Sequence, residues 1–102
     1  MSNDREVKVT PQTALVLDIL LKGERLSGAE IARATRLKSG TLYPLLLRLE
    51  RAGWLTSEWE REEPAVLGRP RRRFYAVTAV GIANARDAGT QNAKIFGRLA
   101  WS

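Results

Sequence analysis

Residues 39 to 55 read Ser39-Gly40-Thr41-Leu42-Tyr43-Pro44-Leu45-Leu46-Leu47-Arg48-Leu49-Glu50-Arg51-Ala52-Gly53-Trp54-Leu55, and their spacing decides the fold. Leu42, Leu45, Leu46 and Leu49 recur at the interval that lines one face of an α-helix, so one side of this segment is predicted to be buried. Ser39 is placed to cap the helix, which runs to Ala52, and Gly53 to stop it by taking a left-handed conformation. Pro44 falls near the first turn, where a missing backbone donor costs less than in mid-helix, so the spacing predicts a helix start rather than a break. With the leucines turned inward, Thr41, Tyr43, Arg48 and Arg51 are left facing solvent.

Upstream, Thr10-Pro11 is an N-cap followed by proline at the first helical position, with Leu15, Val16, Ile19, Leu20 and Lys22 following at helical spacing until Gly23. Ser27 and Glu30 have the spacing of a capping box that opens a second helix, running to about Thr35. Ala29, Ile31, Ala32 and Leu37 form its apolar face, and Arg33 and Arg36 point outward. Residues 1–9 are polar and without period, which predicts a flexible N-terminal arm.

Downstream of Gly53 the period changes. Leu55, Ser57 and Trp59 alternate with Thr56, Glu58 and Glu60 as in a strand, 61–70 reads as a polar loop, and 71–77 as a second strand. Together they predict a hairpin with a long tip, its Leu55, Trp59, Tyr75 and Val77 belonging to the core. Thr78 caps a fourth helix through Ala79, Ile82, Ala83 and Ala85, which continues past a joint at Gly89-Thr90 to Ile95, Phe96, Leu99 and Trp101.

Helix, helix, short turn, helix, hairpin, helix is the order of a winged helix-turn-helix. The fold class is therefore mainly α with a β-hairpin: a winged helix over 10–77, able to bind DNA, and a C-terminal dimerisation helix over 78–102. Such modules also serve in protein recognition, so topology alone leaves that reading open.

The chain has 102 residues, enough for one domain, and its 44% hydrophobic and 27% charged residues fall in the range that folds. Lysine and arginine number 17 against 11 acids, a formal net charge of +6, which favours a polyanionic partner. Cysteine and histidine are absent, which removes disulfides, the commonest zinc ligands and the usual general base, so no cofactor or metal is expected and an enzyme is the poorest reading. The longest apolar run, 14–21, is broken by Asp18 and too short to cross a bilayer. Residues 1–6 lack the layout of a signal peptide, and a cytoplasmic location is expected.

The candidate DNA contacts fall in two groups. Arg36, Lys38, Ser39, Thr41, Tyr43 and Arg48 surround the outer face of the third helix and carry donors suited to phosphates and guanine edges. Tyr43 has a second reading, packed at the helix boundary with its hydroxyl on phosphate, and Arg51 reads best as solvated. In the hairpin, Gly68-Arg69-Pro70-Arg71-Arg72-Arg73 concentrates charge at a tip suited to a minor groove, with Arg69, Arg71 and Arg73 taken as the contacts. The acidic run Glu58, Glu60, Glu62 and Glu63 is expected on an arm that faces away from DNA. Ile82, Ala85, Ile95, Phe96 and Leu99 form an apolar stripe that no remaining element covers, which predicts a homodimer. A small aromatic effector, if one binds, is expected between subunits near Phe96 and Trp101.

Ser39 to Leu46, then Leu49 to Leu55, Trp59-Glu60, and Gly68 to Tyr75 with Thr78 and Gly81, together resemble the PadR family of bacterial transcriptional regulators over residues 10 to about 85. The resemblance implies a homodimeric winged-helix regulator with a short C-terminal region. It also implies repression, dimerisation through the C-terminal helix, and relief by small aromatic ligands in some members. Double-stranded DNA with a palindromic operator is the expected partner. A protein-recognition module and a nucleic-acid binder without operator specificity are the alternatives.

Overall fold

Thr10 and Pro11 start the first helix as their chemistry requires. In a computed structural model that describes residues 7–88, the Thr10 hydroxyl accepts the Thr13 amide at 3.2 Å and α1 spans Pro11–Leu20. Its buried stripe is Thr13, Val16, Leu17 and Leu20, whereas Leu15 is 48% exposed. An unbroken apolar run such as 14–17 fits two adjacent helical stripes equally well, and packing against α2 and the sheet selects the one containing Leu17. Val7 and Val9 already pack against this core, so contact begins before Thr10.

β1 (Leu26–Ser27) leads directly into α2 (Gly28–Thr35). The capping box is complete: the Glu30 amide donates to Ser27 Oγ at 3.1 Å, and the Ser27 amide donates to Glu30 Oε1 at 3.0 Å. Ile31 is buried, but Ala29 is exposed, contrary to the apolar face expected of it. α2 ends at Arg36, whose φ of +60° makes it the sole left-handed residue other than glycine among the described residues. Its amide donates to Ala32 O at 2.8 Å, and Thr35 Oγ1 accepts the Leu37 amide at 3.3 Å, which tightens the turn into the next helix.

α3 spans Ser39–Arg51 and buries Leu42, Leu45, Leu46 and Leu49, as their spacing predicts. Its cap is Lys38 rather than Ser39: the Lys38 carbonyl accepts the Thr41 and Leu42 amides, no side chain caps the end, and Ser39 is the first helical residue. The helix passes through Pro44 without a break.

Then come β2 (Leu55–Trp59), a single helical turn α4 (Pro64–Leu67), β3 (Arg73–Val77) and α5 (79–88). The expected hairpin is part of a three-stranded antiparallel sheet in the order β1-β3-β2, with Leu26 opposite Tyr75 and Leu55 opposite Val77. A two-residue strand carries too little alternation to read from sequence. The expected loop over 61–70 contains α4, begun by Pro64 and ended by Gly68 at φ +69°. Tyr75 and Leu55 are core residues, but Trp59 is 56% exposed because it lies at the end of β2 beyond the reach of α3.

The sheet is joined to α5 by Thr78, whose hydroxyl donates to Gly53 O at 2.6 Å and accepts the Gly81 amide at 3.0 Å. A methyl group on Gly81 would lie 2.2 Å from the Trp54 carbonyl oxygen, so this crossing requires glycine. Ala85 is buried in the core of its own chain rather than held out in an uncovered stripe, and Ile82 is half-buried. The predicted joint at Gly89-Thr90, together with Ile95, Phe96, Leu99 and Trp101, lies outside the described residues, as do 1–6 of the predicted arm.

Candidate nucleic-acid interface

With Leu42, Leu45, Leu46 and Leu49 committed to the core, α3 turns Ser39, Thr41, Tyr43, Pro44, Leu47, Arg48 and Arg51 outward. Pro44, Leu47, Arg48 and Arg51 border a shallow depression of about 270 Å³. Leu47 was not among the residues expected here. Its departure from the register of Leu42, Leu45, Leu46 and Leu49 was the available signal, and it is 48% exposed. Arg36 and Lys38 are exposed at the leading end of α3. Arg36, Lys38, Arg48 and Arg51 have no ion-pair partner among the described residues, so their charges are uncommitted.

Tyr43 is packed and exposed at once. Its ring lies against the start of α2, where a methyl on Gly28 would come within 2.7 Å of the hydroxyl, and the residue remains 46% exposed. Glycine at 28 is what lets the ring approach the helix end.

The wing distributes its charge differently. Arg69 places two guanidinium nitrogens on the two oxygens of Glu60, at 2.5 and 2.9 Å. Glu60 Oε1 also accepts the Arg72 amide at 2.8 Å. The Arg69 hydrogen bonds are the main reason the Glu60 carboxyl is held down to about 2. Arg71 donates to the Glu62 carbonyl at 2.9 Å and pairs with Glu63 at 3.0 Å. Arg73 reaches Ser57 Oγ at 2.8 Å and Glu50 at 3.3 Å, while its guanidinium lies 5.5 Å from the centre of the Trp59 ring. On the other face of the sheet Arg25 pairs with Glu58 at 2.9 Å and covers Phe74. Glu60 and Glu63 of the acidic run are therefore the counter-charges of the wing arginines rather than a separate surface. The charges of Arg69, Arg71 and Arg73 are thereby largely neutralised within the fold.

Between the wing and the helices runs a groove of about 400 Å³ whose walls include Gly28, Tyr43, Trp59, Arg72 and Tyr75. Burial pushes the Tyr75 hydroxyl above its ordinary value. Among the described residues no group of three or more His, Cys, Asp or Glu is placed to hold a metal, and no helix is long and apolar enough to cross a membrane.

Comparison with known proteins agrees with this geometry. The model of the transcriptional regulator PadR-like family matches residues 17–87. A PadR family transcription regulator from Clostridium difficile R20291 superposes with a TM-score of 0.72 at 26% identity, covering 88% of this chain and 94% of that one. A PadR family transcriptional regulator from Eggerthella lenta gives 0.71 at 26% identity, covering 85% and 79%. The PcaV transcriptional regulator from Streptomyces coelicolor, solved in complex with its natural ligand, shares the fold with a TM-score of 0.76 at 22% identity, covering 92% of this chain and 62% of that one. No curated protein gives a significant match. The family match over most of the folded region, on a winged helix whose third helix presents uncommitted cations, places this chain in the PadR-like family of transcriptional regulators.

Proposed function

We propose that this regulator is a homodimeric repressor that reads a palindromic operator with α3, acting in the cytoplasm on double-stranded DNA. The observation that carries the reading is the outer face of α3, where Thr41 and Arg48 stand among cations that no carboxylate among the described residues has claimed. Arginine with free donors can make paired hydrogen bonds to guanine, and threonine can meet a base edge or a thymine methyl. Arg36, Lys38, Ser39 and Tyr43 supply positioning contacts to phosphate.

Two further features support the dimer. An apolar groove of about 430 Å³ runs between α1 and α5, bordered by Val9, Ala14, Leu15, Leu21, Ala85 and Ala88. Leu15 is nearly half exposed there, which suits coverage by a second copy. Ile95, Phe96 and Leu99, whose sequence spacing alone suggests an apolar stripe, would supply the rest of the apolar surface, and Phe96 and Trp101 remain the proposed seat of a small aromatic effector. The ligand held by PcaV is consistent with an effector in a regulator of this fold.

Selection of bound duplexes from a random pool tests the reading. A two-fold symmetric consensus is expected, and T41A or R48A should each cost about 1–3 kcal/mol on that site and relax preference at one position. A pool that yields no enriched sequence would contradict operator recognition, and a monomer in sedimentation at micromolar concentration would contradict the dimer.

A further inference from the structure

Four arginines occur within residues 69–73, yet the fold leaves them in unequal states. Arg69 can leave Glu60 only by giving up two charge-assisted hydrogen bonds and stranding the carboxylate that also holds the Arg72 amide. Arg71 is tied to Glu62 and Glu63 across the tip. Arg73 is held by Ser57 and Glu50 and lies over Trp59.

Arg72 differs from all three. Its side chain is exposed and has no ion pair or hydrogen bond among the described residues. Its backbone, by contrast, is fixed in both directions by Glu60: the Arg72 amide donates to Glu60 Oε1 at 2.8 Å, and its carbonyl accepts the Glu60 amide at 2.9 Å. The charge of Arg72 also acts on Glu30, whose carboxyl is lowered first by its hydrogen bonds with Ser27 and further by this arginine. The charge of Arg72 bears on Glu60 as well, but Glu30 is already occupied by the capping box and Glu60 by Arg69, so neither carboxylate pairs with it.

We infer that the wing grips the DNA backbone through Arg72, with one phosphate seated in the groove between Arg72 and the Tyr43 hydroxyl. The assignment rests on the DNA-binding function proposed above. A cation on a fixed root needs only to order its own side chain when phosphate arrives, whereas Arg69, Arg71 and Arg73 must first break contacts they already make. The groove of about 400 Å³ has both Arg72 and Tyr43 in its lining, and Tyr43 belongs to the exposed face of α3. The paired arginines then have a structural part: they and their carboxylates hold the wing in the shape that presents Arg72.

The experiment is a potassium chloride titration of binding to a random-sequence duplex, because phosphate contacts do not depend on base sequence. R72A should weaken binding and reduce the slope of log affinity against log salt by about 0.9, the value for one phosphate contact. R72K keeps the charge and should restore the slope, Y43F should weaken binding severalfold at unchanged slope, and R25A, whose arginine is already paired with Glu58, should match wild type. Thermal melting checks that each variant is folded. If wild type binds and R72A retains its slope while R69A or R71A loses one unit, the Arg72 assignment is overturned and DNA binding stands. If folded wild type binds no duplex at any salt concentration, the DNA-binding reading itself fails and this assignment with it.

Discussion

The third helix and the wing are both rich in arginine, but they hold their charge in opposite ways. On α3 the acids are few, and Arg48 and Arg51 have no carboxylate partner among the described residues. In the wing Arg69, Arg71 and Arg73 are each matched to Glu60, Glu63 and Glu50. A count of basic residues treats the two regions alike. Charge available to a polyanion is the part that remains after internal pairing, and by that measure the helix offers more than the wing. The physical reason lies in geometry: no acid stands three or four residues from Arg48 or Arg51, the spacings at which helical side chains meet, whereas the facing strands of the wing bring opposite charges side by side.

The contrast needs a rigid frame, and the frame is most vulnerable where α5 crosses the end of β2. G81A would set a methyl 2.2 Å from the Trp54 carbonyl oxygen and 2.8 Å from Val77 Cγ2. A loss of about 3 kcal/mol is expected in urea unfolding, the upper part of the range for overpacking. Binding through helix and wing should then fall together. A stability equal to wild type would show that the two surfaces do not depend on this crossing.

A smaller effect sharpens the helix side. Arg36 occupies a left-handed position at φ +60° that glycine adopts without steric cost. R36G should stabilise the fold by about 1 kcal/mol while weakening duplex binding, since it relieves the backbone and removes one uncommitted cation. Melting and the salt titration together test this. Gain in both stability and affinity would mean that the arginine contributes nothing to DNA contact.

The smallest effect concerns the wing and is read by pH. The Glu60 carboxyl is lowered from 4.5 to about 2 by Arg69, so the unfolded chain binds its proton first as pH falls. The clasp therefore contributes its full stability above the usual carboxylate range and loses it as pH drops toward 2. The difference in melting temperature between wild type and E60Q should be constant near neutrality, narrow below 4.5 and close near 2. A difference that persists at the acid end would remove the ion pair as its cause. Because this pair is only partly buried, water still screens it and the difference should be modest throughout.

Much of the fold was legible because its signals are local. The Thr10-Pro11 start, the Ser27-Glu30 capping box and the four leucines of α3 each act within one or two helical turns, and each is present as read. The unread parts involve a choice that local sequence leaves degenerate. Leu15 and Leu17 compete for the same interior, and only the position of α2 and the sheet excludes Leu15. Trp59 has the alternation of a core residue but lies at the far end of its strand. β1 exists because β3 offers it an edge, and two residues cannot announce that by themselves.

The candidate interface divides in the same way. That α3 would bury its leucines and expose Thr41, Arg48 and Arg51 follows from a period of 3.6 residues acting on thirteen consecutive positions. Which wing arginines remain free does not follow from sequence. Glu60 precedes Arg69 by nine residues and Glu50 precedes Arg73 by twenty-three, so their meeting depends on the path of the intervening chain. Sequence determined the charge and the local helices because both are properties of near neighbours. Tertiary structure decided which charges face outward, because an ion pair forms only where folding brings its two groups within a few ångströms.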